Sequence, residues 1–145
     1  MQAIIDAVSN MILTRYPGYS IYMEEMQEGF NRPSFSVIFI QETQTDKNQR
    51  FYARNIILYV IFNATLNANG NPDKALQYQV YENIRDLFSC GTITVGERKV
   101  KIRQITGGPK GKEIYLGFNL DTTGSRPDTS GQGTLAGSLS MQLDL

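Results

Sequence analysis

Phe51-Tyr52-Ala53-Arg54-Asn55-Ile56-Ile57-Leu58-Tyr59-Val60-Ile61-Phe62-Asn63-Ala64 is the most β-prone run in the chain. On an extended backbone Ile56, Leu58, Val60 and Phe62 share one face, and Ile57, Tyr59 and Ile61 share the other. Apolar residues on both faces describe a central strand covered twice, not an edge strand wetted on one side. One cover is supplied by helices predicted elsewhere in the chain. The other is open to a second subunit.

Working outward, Ser34–Glu42 alternates, with Phe35, Val37 and Phe39 on one face, and predicts a strand. The wholly polar Thr43–Arg50 between these two strands reads as a hairpin turn or a longer arm. Ser20–Glu24 predicts a short strand, and Glu25–Pro33 a polar loop. Gln2–Arg15 carries Ile4, Val8 and Ile12 at helical spacing, widened by Ile5, and Pro17 and Gly18 end that helix. After the central strand, Leu66–Gly70 reads as a loop. Asn71 is the expected N-cap of a second helix, with Pro72 at its first position and Asp73 near its positive end. Leu76, Val80, Ile84, Leu87 and Phe88 form its apolar face, and Gly91 fits a left-handed C-terminal cap. Thr92–Val95 and Lys99–Ile105 predict a hairpin around Gly96-Glu97. Gly107–Gly111 follows as a turn and Glu113–Leu120 as a last strand. The expected order is α-β-β-β-α-β-β-β. This is an α+β fold: a mostly antiparallel sheet with two helices packed on one face, in one domain over residues 1–120. From Asp121 the composition turns to Gly, Ser, Thr and Asp. Residues 121–145 read as a flexible Gly/Ser-rich C-terminal arm ending in a strand-like segment, with Leu139, Met141, Leu143 and Leu145 alternating against polar residues.

The totals exclude several functions. With 145 residues there is room for one core. Lys plus Arg and Asp plus Glu each number 14, so the net charge is zero and no basic surplus marks a duplex DNA binder. Charged residues are 19% of the chain, below the usual quarter, which suits a surface partly covered by partners. Cys90 stands alone and forms no internal disulfide. No basic segment leads an apolar run at the N-terminus, and Ile56–Phe62 is too short to cross a bilayer, so a cytoplasmic protein is expected.

The chain has no histidine, which removes the commonest general base and metal ligand. Neither a catalytic residue, a cofactor site nor a metal site is predicted. Glu24, Glu25 and Glu28 form an acidic cluster that reads as a solvated loop, a carboxylate site, or an interface facing a neighbour's basic hairpin. Gly107-Gly108-Pro109-Lys110-Gly111-Lys112 departs from a phosphate-binding loop. Thr106 stands at the first glycine position, Glu113 at the final hydroxyl position, and the segment leads into a strand. The basic residues Arg98, Lys99, Lys101, Arg103, Lys110 and Lys112 concentrate in one hairpin region. Lys99, Lys101 and Arg103 share one strand face, either solvated, set against an acidic partner, or lining a channel for DNA. The terminal segment with Leu139, Met141 and Leu143 can add to a sheet edge of another subunit.

The stretch Tyr16-Pro17-Gly18-Tyr19-Ser20-Ile21-Tyr22-Met23-Glu24-Glu25-Met26-Gln27-Glu28-Gly29-Phe30-Asn31-Arg32-Pro33-Ser34-Phe35, set after an amphipathic helix, resembles the opening of small tail terminator proteins of long-tailed bacteriophages and of prophage elements in Gram-positive bacteria. The later order of a long apolar strand, a loop, an Asn-Pro-Asp helix and closing strands agrees over Gln2–Leu120. The resemblance implies a structural virion protein, not an enzyme, assembled in the host cytoplasm. It implies a homo-oligomeric ring, usually of six copies, that caps the head-proximal end of the tail tube, and of the sheath in a contractile tail. The ring stops polymerisation and joins the tail to the neck or connector, and DNA passes through its lumen without sequence-specific binding. A head–tail connector protein is the alternative within the same class. A small enzyme or ligand-binding domain, and a regulatory module, are rivals that a retained ligand or a stable monomer would favour.

Overall fold

In the computed structural model, which describes residues 1–23 and 31–125, the central stretch forms a strand inside a six-stranded sheet. The elements are α1 (Gln2–Arg15), β1 (Ser20–Tyr22), β2 (Ser34–Asp46), β3 (Phe51–Asn63), α2 (Lys74–Leu87), β4 (Thr92–Val95), β5 (Arg98–Lys110) and β6 (Glu113–Ser125). The sheet order is β1-β2-β3-β6-β5-β4. β1 pairs with β2 in parallel, while β4 with β5 and β5 with β6 are antiparallel. β2 and β3 are joined by a turn too short for a parallel crossover. Between β3 and β6, Asn55 meets Asn119 while Tyr59 meets Tyr115, so these strands also run in opposite directions. The expected α+β class, element order and helix placement are those observed.

The chain divides into two units, Met1–Thr43 with Asn55–Thr122, and Gln44–Arg54 with Thr123–Leu145. The first holds the core. Ile4, Ile5, Val8 and Ile12 of α1 and Val80, Ile84 and Phe88 at α2 close one cluster with Phe35, Val37, Ile56, Leu58, Leu116 and Phe118 of the sheet. Full burial of each such side chain contributes about 1.5–3 kcal/mol. On the other face of β3, Ile61 is buried while Ile57 and Tyr59 are half-buried. Tyr16, Tyr19, Phe35 and Phe62 form an aromatic cluster, with Tyr16–Tyr19 centroids 5.0 Å apart and Phe35–Phe62 5.2 Å. It fixes the exit of α1 onto the sheet, and Asn83 of α2 donates to the Tyr16 hydroxyl at 2.9 Å. In the second unit, Asn48 Oδ1 accepts from the N–H groups of Arg50 and Phe51, closing the β2–β3 turn.

Several expected boundaries are corrected. β2 continues through Thr43–Asp46, leaving the turn to residues 47–50. β6 continues through Asp121–Ser125, where the arm was expected to begin. β1 stops at Tyr22. The cap of α2 is Asp73, not Asn71: Asp73 has extended backbone and its Oδ1 accepts from Leu76 N–H at 3.2 Å. Asn71 belongs to the preceding loop, where Asn67 Oδ1 accepts from Asn71 N–H, and Pro72 bridges to Leu66. Gly91 has a positive φ of 86°, but the C-cap is Phe88, so the glycine turns the chain into β4 instead. Gly107 and Gly108 lie inside β5, and the turn is confined to Gly111-Lys112. A Cβ at Gly107 would sit 2.6 Å from a Tyr81 ring carbon and 2.8 Å from the Tyr115 carbonyl oxygen, so this glycine serves a close approach and not a bend.

Candidate functional site

The basic residues foreseen for assembly lie on β5 and the turn after it. Val100 and Ile102 are buried, so the alternate residues Lys99 and Lys101 stand on the sheet face away from the helices, and both are exposed. Across the ladder Lys99 opposes Thr94, while Lys101 opposes Thr92 on one side and Asp121 on the other. The ladder slips between Ile102 and Gln104, a bulge centred on Arg103. It turns the guanidinium toward Asp121, with Nε 3.9 Å from Oδ2. Both side chains are well exposed, so the pair contributes at most about 1 kcal/mol and is screened by salt. Asp121 also accepts from Asn55 Nδ2 at 2.8 Å, and Asn55 reaches Asn119 as well. The face is therefore a mixed polar stripe with an acid built into it. Sequence reading missed this because Asp121 looked like the start of a linker.

The remaining bases are placed differently. Arg98 opens β5 opposite Val95, and Lys110 ends it opposite Glu113. Lys112 is exposed as well: its ammonium donates to the Gly70 carbonyl at 2.9 Å, and its own carbonyl accepts from the buried Gln77 at 2.8 Å. These bonds latch the β5–β6 turn to the loop ahead of α2. Glu24, Glu25, Glu28, Leu139, Met141 and Leu143 lie outside the described residues.

An ion pair not foreseen ties three sheet ends together. Arg32, ahead of β2, holds Glu113 at the start of β6 through a two-pronged contact, Nη2 to Oε2 at 2.5 Å and Nη1 to Oε1 at 3.2 Å. The same Nη1 donates to the carbonyl of Ala64, just beyond β3, at 2.7 Å. The two side chains are only 20% and 16% exposed, which makes this the stronger kind of ion pair. Beneath it Asn63 donates to Ser34 and Ser36, all three fully buried on the face away from the helices.

Beside the edge strand β4 an open groove of about 450 Å³ lies between β4 and α1. Among the described residues no cluster of three or more Cys, Asp or Glu could hold a metal, and no helix is long and apolar enough to cross a membrane. Among the described residues the arrangement offers surfaces, sheet edges and a groove.

A family model described as phage tail terminator protein matches residues 3–132. The chain belongs to the phage tail terminator family. The match takes in all but the first two described residues, so this is a structural phage tail protein that works with other tail components, and its family is not one of enzymes. Among curated proteins, none matches the chain.

Proposed function

We propose that this tail terminator forms a ring, of six copies, that caps the head-proximal end of the tail tube, and of the sheath in a contractile tail. The ring stops polymerisation and joins the tail to the neck, while DNA passes through the lumen without sequence-specific contacts. The observation that carries this reading is the family match over residues 3–132. Arg98, Lys99, Lys101, Arg103, Lys110 and Lys112 are the proposed contact residues on the β4–β5 side. Glu24, Glu25 and Glu28 form an acidic counterpart. The arm, taken to begin after β6, brings Leu139, Met141 and Leu143 to a neighbour. The test is to add the purified chain to tail tubes lacking a terminator and image them. Rings seated at one end, with tube length then fixed, are the expected result. Binding to capsid portals and not to tubes would transfer the chain to the connector class.

A further inference from the structure

The lateral edges of the sheet are unequal. β1 covers β2 only from Ser34 to Ser36, so among the described residues no strand flanks β2 on that side from Val37 onward. At the opposite edge β4 has β5 on one side and, among the described residues, no strand on the other. Exposed edges are usually blunted by bulges, prolines or lysines. β5 beyond β4 has the bulge after Ile102 and Pro109. Neither Thr92–Val95 nor Val37–Ile40 contains a proline or a lysine.

Each unblunted edge also carries one half of a fit. Phe39 is in step with Phe35 and Val37, which are fully buried under the helices, so it points to the helix-bearing face. Yet Phe39 is 45% exposed. On that same face, at the β4 edge, lies the groove between α1 and β4, lined by Ala3, Ala7, Asn10 and Met11 of one helix stripe and by Thr94 and Val95. Its volume of about 450 Å³ has room for an aromatic ring. Strand directions agree as well. Each step from β2 through β3, β6 and β5 to β4 reverses direction, so β2 and β4 point the same way. One copy's β2 laid beside the next copy's β4 pairs in parallel, as β1 does with β2.

We propose that Val37–Ile40 of one copy adds to the free edge of β4 in the next, with Phe39 seated in the α1–β4 groove. Backbone bonds along the edge supply affinity and the seated ring supplies register. The occupant is a second copy because one chain carries both halves at opposite edges, the head-to-tail arrangement that closes into a ring when the rotation permits. The inference rests on the ring reading and names its subunit contact. It leaves the other sheet face, with Lys99 and Lys101, uncovered.

The test uses the full chain with Cys90→Ser and two introduced thiols, Phe39→Cys and Ala7→Cys, oxidised both free in solution and seated on tail tubes. The expected result is a ladder of 39–7 disulfide-linked multimers ending at the ring size. Chains carrying either thiol alone should give no ladder. Separately, Phe39→Lys should weaken self-association by about tenfold or more with an unchanged circular dichroism spectrum. If rings form or tubes are capped while no 39–7 link appears, the interface is overturned and the terminator reading stands. If the parent chain caps no tubes and the two-thiol chain gives no link, both fall.

Discussion

Replacing Arg32 by alanine would leave the Glu113 carboxylate half-buried without its fork and the Ala64 carbonyl without its donor. Hydrogen bonds to charged groups carry about 1.5–3 kcal/mol, so Arg32→Ala should destabilise the fold by about 2 kcal/mol in urea titration. Arg32→Lys should recover only part of this, because an ammonium cannot make both prongs and also reach the carbonyl. Tyr19 gives the fold an alkaline limit. Burial pushes its hydroxyl above the ordinary value of 10.0, and repulsion from Tyr16 adds to this. Above that ordinary value the unfolded chain releases the proton while the folded chain keeps it. The contribution of Tyr19 to stability is therefore fully present below its ordinary value of 10.0 and is lost as pH rises through the folded-state value. Melting temperatures across that range should fall less steeply in Tyr19→Phe than in the parent chain.

Among the elements, α2 offers a direct check on which residue caps it. Asp73→Ala should cost about 1 kcal/mol, and Asn71→Ala distinctly less, by thermal unfolding of the two variants. The order of elements was legible because half-buried strands and helices leave periodic traces: Ile4, Val8 and Ile12 in α1, Ile56 to Phe62 in β3. Strand ends were not. Thr43–Asp46 is exposed throughout, so its residues show no alternation although the backbone stays extended. Gly107 and Gly108 look like turn residues in any sequence, and the close approach of Tyr81 accounts for the glycine at 107 alone. Asn71 lost the cap to Asp73 because its carbonyl accepts from Asn67 N–H within the loop, while the Asp73 carbonyl takes the first helical bond, from Gln77 N–H.

For the whole molecule, charge reversal separates assembly from folding. Lys99→Glu changes one exposed side chain that faces Thr94 across the ladder, so stability should move by no more than about 0.5 kcal/mol. Capping of tail tubes should weaken, and counting capped ends against melting temperature for the same preparations checks both halves. Lys99 and Lys101 were legible as one face because Val100 between them and Ile102 after them are apolar. The Arg32–Glu113 pair was not, since 81 positions separate its members and only the sheet order brings them together.

Cys90 is exposed, and its thiol points to the carbonyl of Thr92 at the first residue of β4. Because the chain has no other cysteine, a nitroxide label attaches to each copy at one known place and needs no mutation. In a closed assembly such labels sit at the corners of a regular polygon. The ratio of nearest to farthest separation, read by pulsed electron resonance, depends only on how many corners there are. The native thiol thus turns subunit number into a question of distances.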